Sequence, residues 1–211
     1  MSFVPVEEAV KVFRLGRFVI ICDDEGRENE GDFAIAAEFA DAAAVNFMAT
    51  HGRGLICCSL APHIIEQLEL ELMIPKQHNR SGYGTPFTVS VEAAEGVTTG
   101  ISAADRARTI AVLIDPDAKP TDLVKPGHMF PLRAAENGVL DRDGQTEASV
   151  DLAKLAGLRH GAVICEVMNS DGTMARRDDL IEVSKEHDIP MVTVADLIAY
   201  RTEKGDGVEA A

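Results

Sequence analysis

Two short apolar runs enclose the most highly charged stretch of this chain, and that arrangement limits how the sequence can fold. The charged stretch runs from Asp23 to Asp32 and reads D-D-E-G-R-E-N-E-G-D, with six carboxylates, one arginine and two glycines. The apolar runs are F-V-I-I at positions 18–21 and F-A-I-A at positions 33–36. Short apolar runs bounded by turn residues are typical of buried strands. We therefore predict an acidic loop that core strands hold at both ends.

The carboxylates of this loop are so close together that they need water, a cation or protons around them, because each repels its neighbours. Two carboxylates about 5 Å apart repel by roughly 3 kcal/mol at an effective dielectric constant near 20. If the loop is extended, Glu28, Glu30 and Asp32 share one side and Arg27 lies on the other, since side chains alternate along an extended chain. Such a set of oxygen atoms suits Mg²⁺. A hydrated acidic turn is the alternative that these residues leave open.

Composition narrows the class of protein. The 211 residues are 46% hydrophobic and carry a formal net charge of −15, which argues against nonspecific nucleic-acid binding and against an anionic membrane surface. No apolar run approaches the roughly 20 residues of a membrane-spanning helix, and we see no signal peptide at the N-terminus. Four cysteines without a C-x-x-C pair are typical of a reduced, cytoplasmic protein. We expect one catalytic domain over residues 1–203 and a disordered tail at 204–211.

Helical and strand-like patterns alternate irregularly along the chain. Ser102 followed by Asp105 indicates a capped helix start, and Asp41 is a second candidate cap. This irregular order is typical of an α+β fold, and we predict an α/β three-layer sandwich with a mixed β-sheet flanked by helices on both faces. A polar, glycine-rich segment at 73–87 is predicted to be a loop that could act as a mobile lid. The predicted strands are 17–22, 33–37, 54–59, 87–91, 130–134, 161–167 and 191–194.

Two segments outside the acidic loop are candidate anion sites. The first, E-G-V-T-T-G at 95–100, places Thr98 and Thr99 just before a predicted helix, where backbone N–H groups attract phosphate. The second, R-D-G-Q-T-E at 142–147, brings Arg142, Gln145 and Thr146 to the start of another helix. An ordinary strand-to-helix turn in the first case, and a simple helix cap in the second, are the alternatives that spacing leaves open.

Three further side chains are candidates for proton transfer or for the wall of a site. His128 follows Pro126 and Gly127 just before a predicted strand, and its ordinary pKa lies near neutrality. Glu166 ends a buried strand, where ligands of α/β sheets bind. Cys57 lies in an apolar run, so a core position is the alternative to a place in the site. Structural roles remain the alternative for His128 and Glu166 as well.

Several blocks of the chain together form a pattern more specific than any single motif. The blocks are D-D-E-G-R-E-N-E-G-D, H-G-R-G-L-I-C, S-G-Y-G-T-P-F-T-V-S-V-E-A-A-E-G-V-T-T-G-I-S-A-A-D-R, K-P-G-H-M-F-P-L-R-A and G-Q-T-E-A followed by C-E-V-M-N-S-D-G-T-M-A-R. Taken together, they closely resemble one enzyme family, 3,4-dihydroxy-2-butanone-4-phosphate synthase of riboflavin biosynthesis. The likeness runs from about Val4 to Tyr200, with the blocks in the same order. The family converts ribulose 5-phosphate into 3,4-dihydroxy-2-butanone 4-phosphate and formate.

The resemblance implies a homodimer with active sites near the subunit interface, and Mg²⁺ (or Mn²⁺) as the only cofactor. The implied catalytic residues are His128 and Glu166 for proton transfer, with Asp32 as a second ionisable group and Cys57 lining the site. The implied metal ligands are Glu28 and Gln145. The implied substrate-binding residues are Arg27, Glu28, Asp32, Thr99, Arg142, Gln145, Thr146 and Glu166.

Gln145 departs from the family pattern, which usually has a metal-binding histidine in the block R-x-G-H-T-E. Mg²⁺ is a hard cation that accepts an amide oxygen in place of an imidazole nitrogen. We therefore predict an active lyase whose preference is shifted away from softer divalent metals. The alternative that Gln145 raises is a catalytically silent homologue that still binds a sugar phosphate.

Two other classes remain as alternatives. A nucleic-acid-binding module needs a basic face, and 35 acidic against 20 basic residues leave little room for one. Another metal-dependent lyase of phosphorylated sugars, such as an aldolase, would keep the acidic loop and Arg142 but would not release formate. In many organisms the synthase is fused to a GTP cyclohydrolase, and the residues do not decide between a monofunctional enzyme and half of such a fusion.

Overall fold

Seven strands form one mixed β-sheet at the centre of the computed structural model, which describes residues 3–204. In chain order they are β1 Val19–Cys22, β2 Gly31–Ala36, β3 Cys57–Leu60, β4 Val91–Ala93, β5 Leu123–Arg133, β6 Gly161–Glu166 and β7 Met191–Thr193. Their order across the sheet is β4-β5-β3-β6-β2-β1-β7. The pairs β1–β7 and β3–β5 are parallel, and the other neighbours are antiparallel.

Helices cover both faces of this sheet, which confirms the predicted three-layer sandwich of the α+β class. They are α1 Val6–Arg14, α2 Ala42–Phe47, α3 Pro62–Gln67, α4 Ala103–Leu113, α5 Gln145–Leu155, α6 Arg177–His187 and α7 Val194–Lys204. Residues of α1, α5 and α7 pack in the hydrophobic core on one face, and residues of α2, α3, α4 and α6 pack in the core on the other. Strand β1 shows why both faces must be covered: Val19 and Ile21 point into one core, and Ile20 and Cys22 point into the other.

The two predicted helix caps are present. The Asp41 carboxylate accepts a hydrogen bond of 2.8 Å from the backbone N–H of Ala44, at the start of α2. The Ser102 hydroxyl accepts one of 3.0 Å from the backbone N–H of Asp105, at the start of α4. Each cap satisfies an N–H group that the helix leaves without a partner.

Two predicted strands lie in the wrong place. The structure has β4 at Val91–Ala93 instead of 87–91, because Phe87 and Thr88 make only isolated bridges, to Leu132 and Leu72. Strand β5 begins at Leu123 instead of 130, since it continues through K-P-G-H and pairs there with β4 at a register shift. Proline is tolerated in a strand beside such an irregularity. His128 consequently lies inside a strand and not in a loop.

Three further features bear on the predictions. A π-helical turn at Met48–Gly52 follows α2 directly and leads into the segment before β3. Lys204, the first residue of the predicted tail, is the last residue of α7, and the rest of that tail lies outside the described residues. In the part of the chain that is described, no helix is both long and apolar enough to cross a membrane.

Candidate active site

The acidic loop folds around the carboxylate of Asp23. This side chain accepts hydrogen bonds from the backbone N–H groups of Glu28 (3.0 Å) and Glu30 (2.8 Å) and from Arg27 Nη1 (2.8 Å). The loop is a turn and not an extended segment, since the N–H of Arg27 bonds to the carbonyl of Asp24. Asp23 therefore has a structural role in the acidic loop, because the hydrogen bonds that it accepts orient Arg27, Glu28 and Glu30.

The turn corrects one prediction. In an extended loop Arg27 would lie opposite Glu28 and Asp32, but in the turn all three line the same cavity. Asp32 itself belongs to strand β2, where its side chain is only 4% exposed. A strand position fixes this carboxylate more rigidly than the predicted loop would.

The cavity, of about 360 Å³, lies where β2, β3 and β6 meet the start of α5. It brings together eight of the ten residues to which the resemblance assigns a role, and it leaves out Thr99 and His128. Those eight residues are Arg27, Glu28, Asp32, Cys57, Arg142, Gln145, Thr146 and Glu166. The remaining lining residues, which the sequence did not mark as substrate-binding or catalytic, are Glu30, Tyr83, Thr85, Phe87, Leu132 and Ile164.

Asp32 and Glu166 form the most perturbed ionisable pair of the cavity. They are directly opposite each other in the antiparallel pairing of β2 with β6. Burial raises the pKa of Asp32 well above its ordinary value, and the nearby charge of Glu166 raises it further. Burial also raises the pKa of Glu166, although a hydrogen bond of 2.8 Å from the N–H of Leu55 opposes that rise. Two such carboxyl groups favour holding one proton between them over ionising together.

The thiol of Cys57 lines the cavity without being reactive. Its side chain is 3% exposed, and burial, followed by the charges of Glu166 and Asp32, raises its pKa well above the ordinary value. A thiolate needs positive, accessible surroundings. Cys57 therefore contributes shape and an apolar surface to the cavity, and it stays protonated at neutral pH.

Two arginines also line the cavity. Arg142 Nη1 donates a hydrogen bond of 2.6 Å to Glu147, a fully buried carboxylate on the first turn of α5. Arg27 Nη1 reaches the amide oxygen of Gln145 at 3.1 Å as well as Asp23. Gln145 and Thr146 are the first two residues of α5, whose N-terminal N–H groups attract anions. This side of the cavity suits a phosphate group.

Tyr83 connects the loop at 73–87 to both arginines. Its hydroxyl donates a hydrogen bond of 2.5 Å to the carbonyl oxygen of Arg27, and its ring lies 4.9 Å from the guanidinium carbon of the same residue. Its own carbonyl oxygen accepts from Arg142 Nη2 at 3.3 Å. The sequence signal for this residue was weak, because one aromatic side chain in a polar loop has many roles.

Thr99 and His128 lie together at a different place, beside the edge strand β4. The His128 ring contacts the carboxylate of Glu92 through Nδ1, and a side chain at Gly100, next to Thr99, would overlap that carboxylate. The neighbouring Thr98 hydroxyl donates to Asp105 at 2.7 Å, so it serves the start of α4 and is not free for phosphate. The half-exposed ring of His128 (48%) faces outwards from this chain.

The residues of the cavity fit a hard divalent cation through their oxygen atoms. Glu28, Glu30 and Asp32 share the cavity, and Asp32 Oδ1 is buried without a hydrogen-bond partner. Mg²⁺ uses one or two carboxylates and keeps several water molecules. Within residues 3–204 no three His, Cys, Asp or Glu side chains form a ready-made metal site. The fit is therefore to a partly hydrated ion and not to an enclosed structural metal.

A pair of carboxyl groups in one cavity with two arginines and a helix N-terminus is typical of the class of enzymes that move protons on an anionic small molecule. The 3,4-dihydroxy-2-butanone 4-phosphate synthase family model matches residues 7–200. The chain belongs to this family.

Relatives and solved structures agree with that assignment. The riboflavin biosynthesis protein RibBA of Aquifex aeolicus is 56% identical over 210 residues, which are 99% of this chain and 51% of that protein. The 3,4-dihydroxy-2-butanone 4-phosphate synthase of Neisseria meningitidis serogroup A is 52% identical over 94% of this chain and 54% of its own length. A synthase crystal structure in complex with two magnesium ions superposes with a TM-score of 0.91 at 39% identity, over 97% of this chain and 99% of that one. The chain spans about half the length of the curated relatives that it matches.

Proposed function

We propose that this chain is a lyase that converts D-ribulose 5-phosphate into 3,4-dihydroxy-2-butanone 4-phosphate and formate in riboflavin biosynthesis. The observation that carries the proposal is the Asp32–Glu166 pair, with Asp32 buried and Glu166 partly buried, which lines one cavity together with Arg27 and Arg142. Family membership supports it. The four described cysteines are free and buried, which supports a reducing, cytoplasmic location.

Two groups of cavity residues have different roles, one in phosphate binding and the other in proton transfer. Arg27, Arg142 and Thr146 hold the phosphate at the start of α5, where the helix dipole adds to the arginine charges. The carboxyl groups of Asp32 and Glu166 then lie beside the carbon chain of the sugar, away from its phosphate group. The ionised member of the pair takes the proton from the carbon next to the carbonyl group, and the protonated member returns one.

A divalent cation, Mg²⁺ or Mn²⁺, completes the chemistry of this proposal. When bound, it stabilises the negative charge that develops on the substrate oxygen during enolisation. Glu28 would hold it, and Glu30 and Asp32 line the same cavity as further oxygen donors. The solved synthase structure in complex with two magnesium ions supports such a cofactor.

We also propose that the active form is a homodimer in which each cavity receives Thr99 and His128 from the partner subunit. In one chain these two side chains lie outside the cavity, and His128 is half exposed. A symmetric dimer places the same two surfaces against each other twice. The resemblance to a homodimeric family with sites near the subunit interface supports this arrangement.

Formate release separates this proposal from its rivals. Purified chain with ribulose 5-phosphate and Mg²⁺ is expected to release one formate per substrate consumed, and no formate with the metal removed by EDTA. Formate is measured with formate dehydrogenase. Binding without formate would instead identify the silent homologue, and substrate cleavage without formate would identify an aldolase-type lyase.

Tyr83→Phe is expected to raise KM for ribulose 5-phosphate by about 2- to 10-fold with little change in kcat, the range that one net hydrogen bond gives. The variant keeps the ring over Arg27 but loses the bond that fixes the backbone of that arginine. Steady-state kinetics measure the split between KM and kcat. Lys76→Ala, an exposed change on the same loop, is the control. A fall in kcat at unchanged KM would contradict this role.

A further inference from the structure

We propose that Gln145 binds a hydroxyl group of the substrate and not the divalent cation, so that α5 supplies no ligand to the metal. The proposal rests on the proposed function, because it assigns a subsite within the same cavity. The resemblance implies both a metal role and a substrate role for Gln145, and the geometry favours the second.

The amide group of Gln145 can point only one way. Its oxygen accepts a hydrogen bond of 3.1 Å from Arg27 Nη1. The reversed amide would set its own NH₂ group against the guanidinium, donor against donor, which forms no bond. The amide oxygen therefore stays beside a permanent positive charge, and a divalent cation placed on that oxygen would be repelled by Arg27.

The other end of the same amide is an unused donor. Gln145 is 5% exposed, and its Nε2 is buried with no hydrogen-bond partner. Buried polar groups are nearly always hydrogen-bonded, so an orphan of this kind marks the place of a missing ligand atom or water molecule. A donor requires an acceptor there, and a cation is not one.

A second orphan atom on the wall of the cavity has the opposite character. Asp32 Oδ1 is also buried without a partner and is an acceptor when ionised. A hydroxyl group suits either atom, because it accepts from an N–H and donates to a carboxylate. A cation satisfies only Asp32, and a phosphate oxygen satisfies only Gln145. A polyhydroxylated chain such as a pentose phosphate carries the one group that suits both.

Metal binding measured without substrate tests the proposal first. Mn²⁺ is titrated into the metal-free protein and its free concentration is followed by electron paramagnetic resonance. Gln145→Ala and the near-isosteric Gln145→Met are expected to bind Mn²⁺ within about twofold of the parent chain. Glu28→Gln is expected to lose at least about 10- to 100-fold, the loss that removal of an outer-shell partner of a ligand already causes. If the Gln145 variants lose as much as Glu28→Gln, the amide is a metal ligand and the proposal is wrong.

A pair of phosphate compounds tests the hydroxyl contact by equilibrium binding. The parent chain and Gln145→Met are compared by calorimetry with ribitol 5-phosphate, which carries hydroxyl groups, and with inorganic phosphate, which has no carbon chain. The variant is expected to lose about tenfold in affinity for ribitol 5-phosphate, and less than twofold for phosphate, since only the first compound offers the hydroxyl. Equal losses, or no loss for either compound, would overturn the assignment.

Neither arm depends on turnover. If no formate is released, the proposed function fails, but the Mn²⁺ and ribitol 5-phosphate titrations still decide what Gln145 binds. If formate is released and Gln145→Met weakens Mn²⁺ binding, the function stands and this inference fails.

Discussion

Glu166→Gln is expected to abolish nearly all formate release while raising the temperature at which the metal-free chain unfolds. Glutamine retains the size of the side chain and can still accept the hydrogen bond from the N–H of Leu55. It cannot take up or release a proton. Since general acid–base catalysis contributes about 10²- to 10⁴-fold, we expect kcat to fall by that factor.

The gain in stability follows from the sign of the pKa shift. Burial raises the pKa of Glu166 above the ordinary value of 4.5 in the folded chain. For an acid whose folded-state pKa is raised, folding costs nothing extra below the unfolded-state pKa, and the cost grows as pH rises through the folded-state value. The advantage of Glu166→Gln in unfolding temperature should therefore be small near pH 4 and largest at neutral pH and above. Divalent cation should reduce that advantage, because it stabilises the ionised parent site.

Thermal unfolding monitored by circular dichroism from pH 4 to pH 8, paired with the formate assay, measures both effects. Glu25→Gln is the matched control: it removes a charge from the same acidic loop, but that side chain is 72% exposed. It should change neither activity nor the pH dependence of unfolding. A Glu166→Gln protein that keeps its activity would remove Glu166 from proton transfer. A variant that unfolds at a lower temperature than the parent at neutral pH would contradict the argument that burial of the ionised Glu166 destabilises the folded chain.

The sequence predicted the layers of the fold because its apolar patterns are local. Strand β1 reads as an unbroken apolar run, and both of its faces are indeed buried. The acidic loop was likewise found from a local signal, because the number of carboxylates in a short stretch was enough to indicate a candidate site. The residues that contact these carboxylates could not be predicted in the same way, because Asp32 and Glu166 lie on strands that are far apart in the sequence. Only the pairing of β2 with β6 brings these two side chains face to face.

The errors of the sequence prediction have physical causes too. Lys125-Pro126-Gly127 reads as a turn, yet it continues β5, because the edge strand β4 pairs with it across a shifted register. The sides assigned to the side chains of the acidic loop assumed an extended segment, whereas three hydrogen bonds to Asp23 close the loop into a turn. In both segments the sequence pattern could not predict the direction in which the side chains point. No local pattern indicates that the amide oxygen of Gln145 meets Arg27, across 118 positions.

A mixed dimer of two inactive variants is expected to recover about half of the parent activity. One subunit carries Glu166→Gln and the other carries His128→Ala. If each cavity uses the partner subunit's His128, one of the two sites in the mixed dimer contains both mutations and the other contains neither, by the twofold symmetry of the contact. Each variant alone, as a homodimer, has two damaged sites and should be nearly inactive.

Co-expression of the two variants with different affinity tags, followed by purification on both, isolates the mixed dimer for the formate assay. The matched control combines Glu166→Gln with Asp32→Asn, two changes on the same side of the proposed interface. Every site of that dimer contains one damaged cavity, so no activity should return. Activity in the control as well would point to contamination by parent chain. An inactive Glu166→Gln/His128→Ala dimer would mean that His128 acts within its own chain. A fully active His128→Ala homodimer would mean that His128 has no role, and a chain that stays monomeric in solution would remove the shared site altogether. Recovery only in the first combination has one explanation, because a site that is complete in neither homodimer can be completed only across the interface.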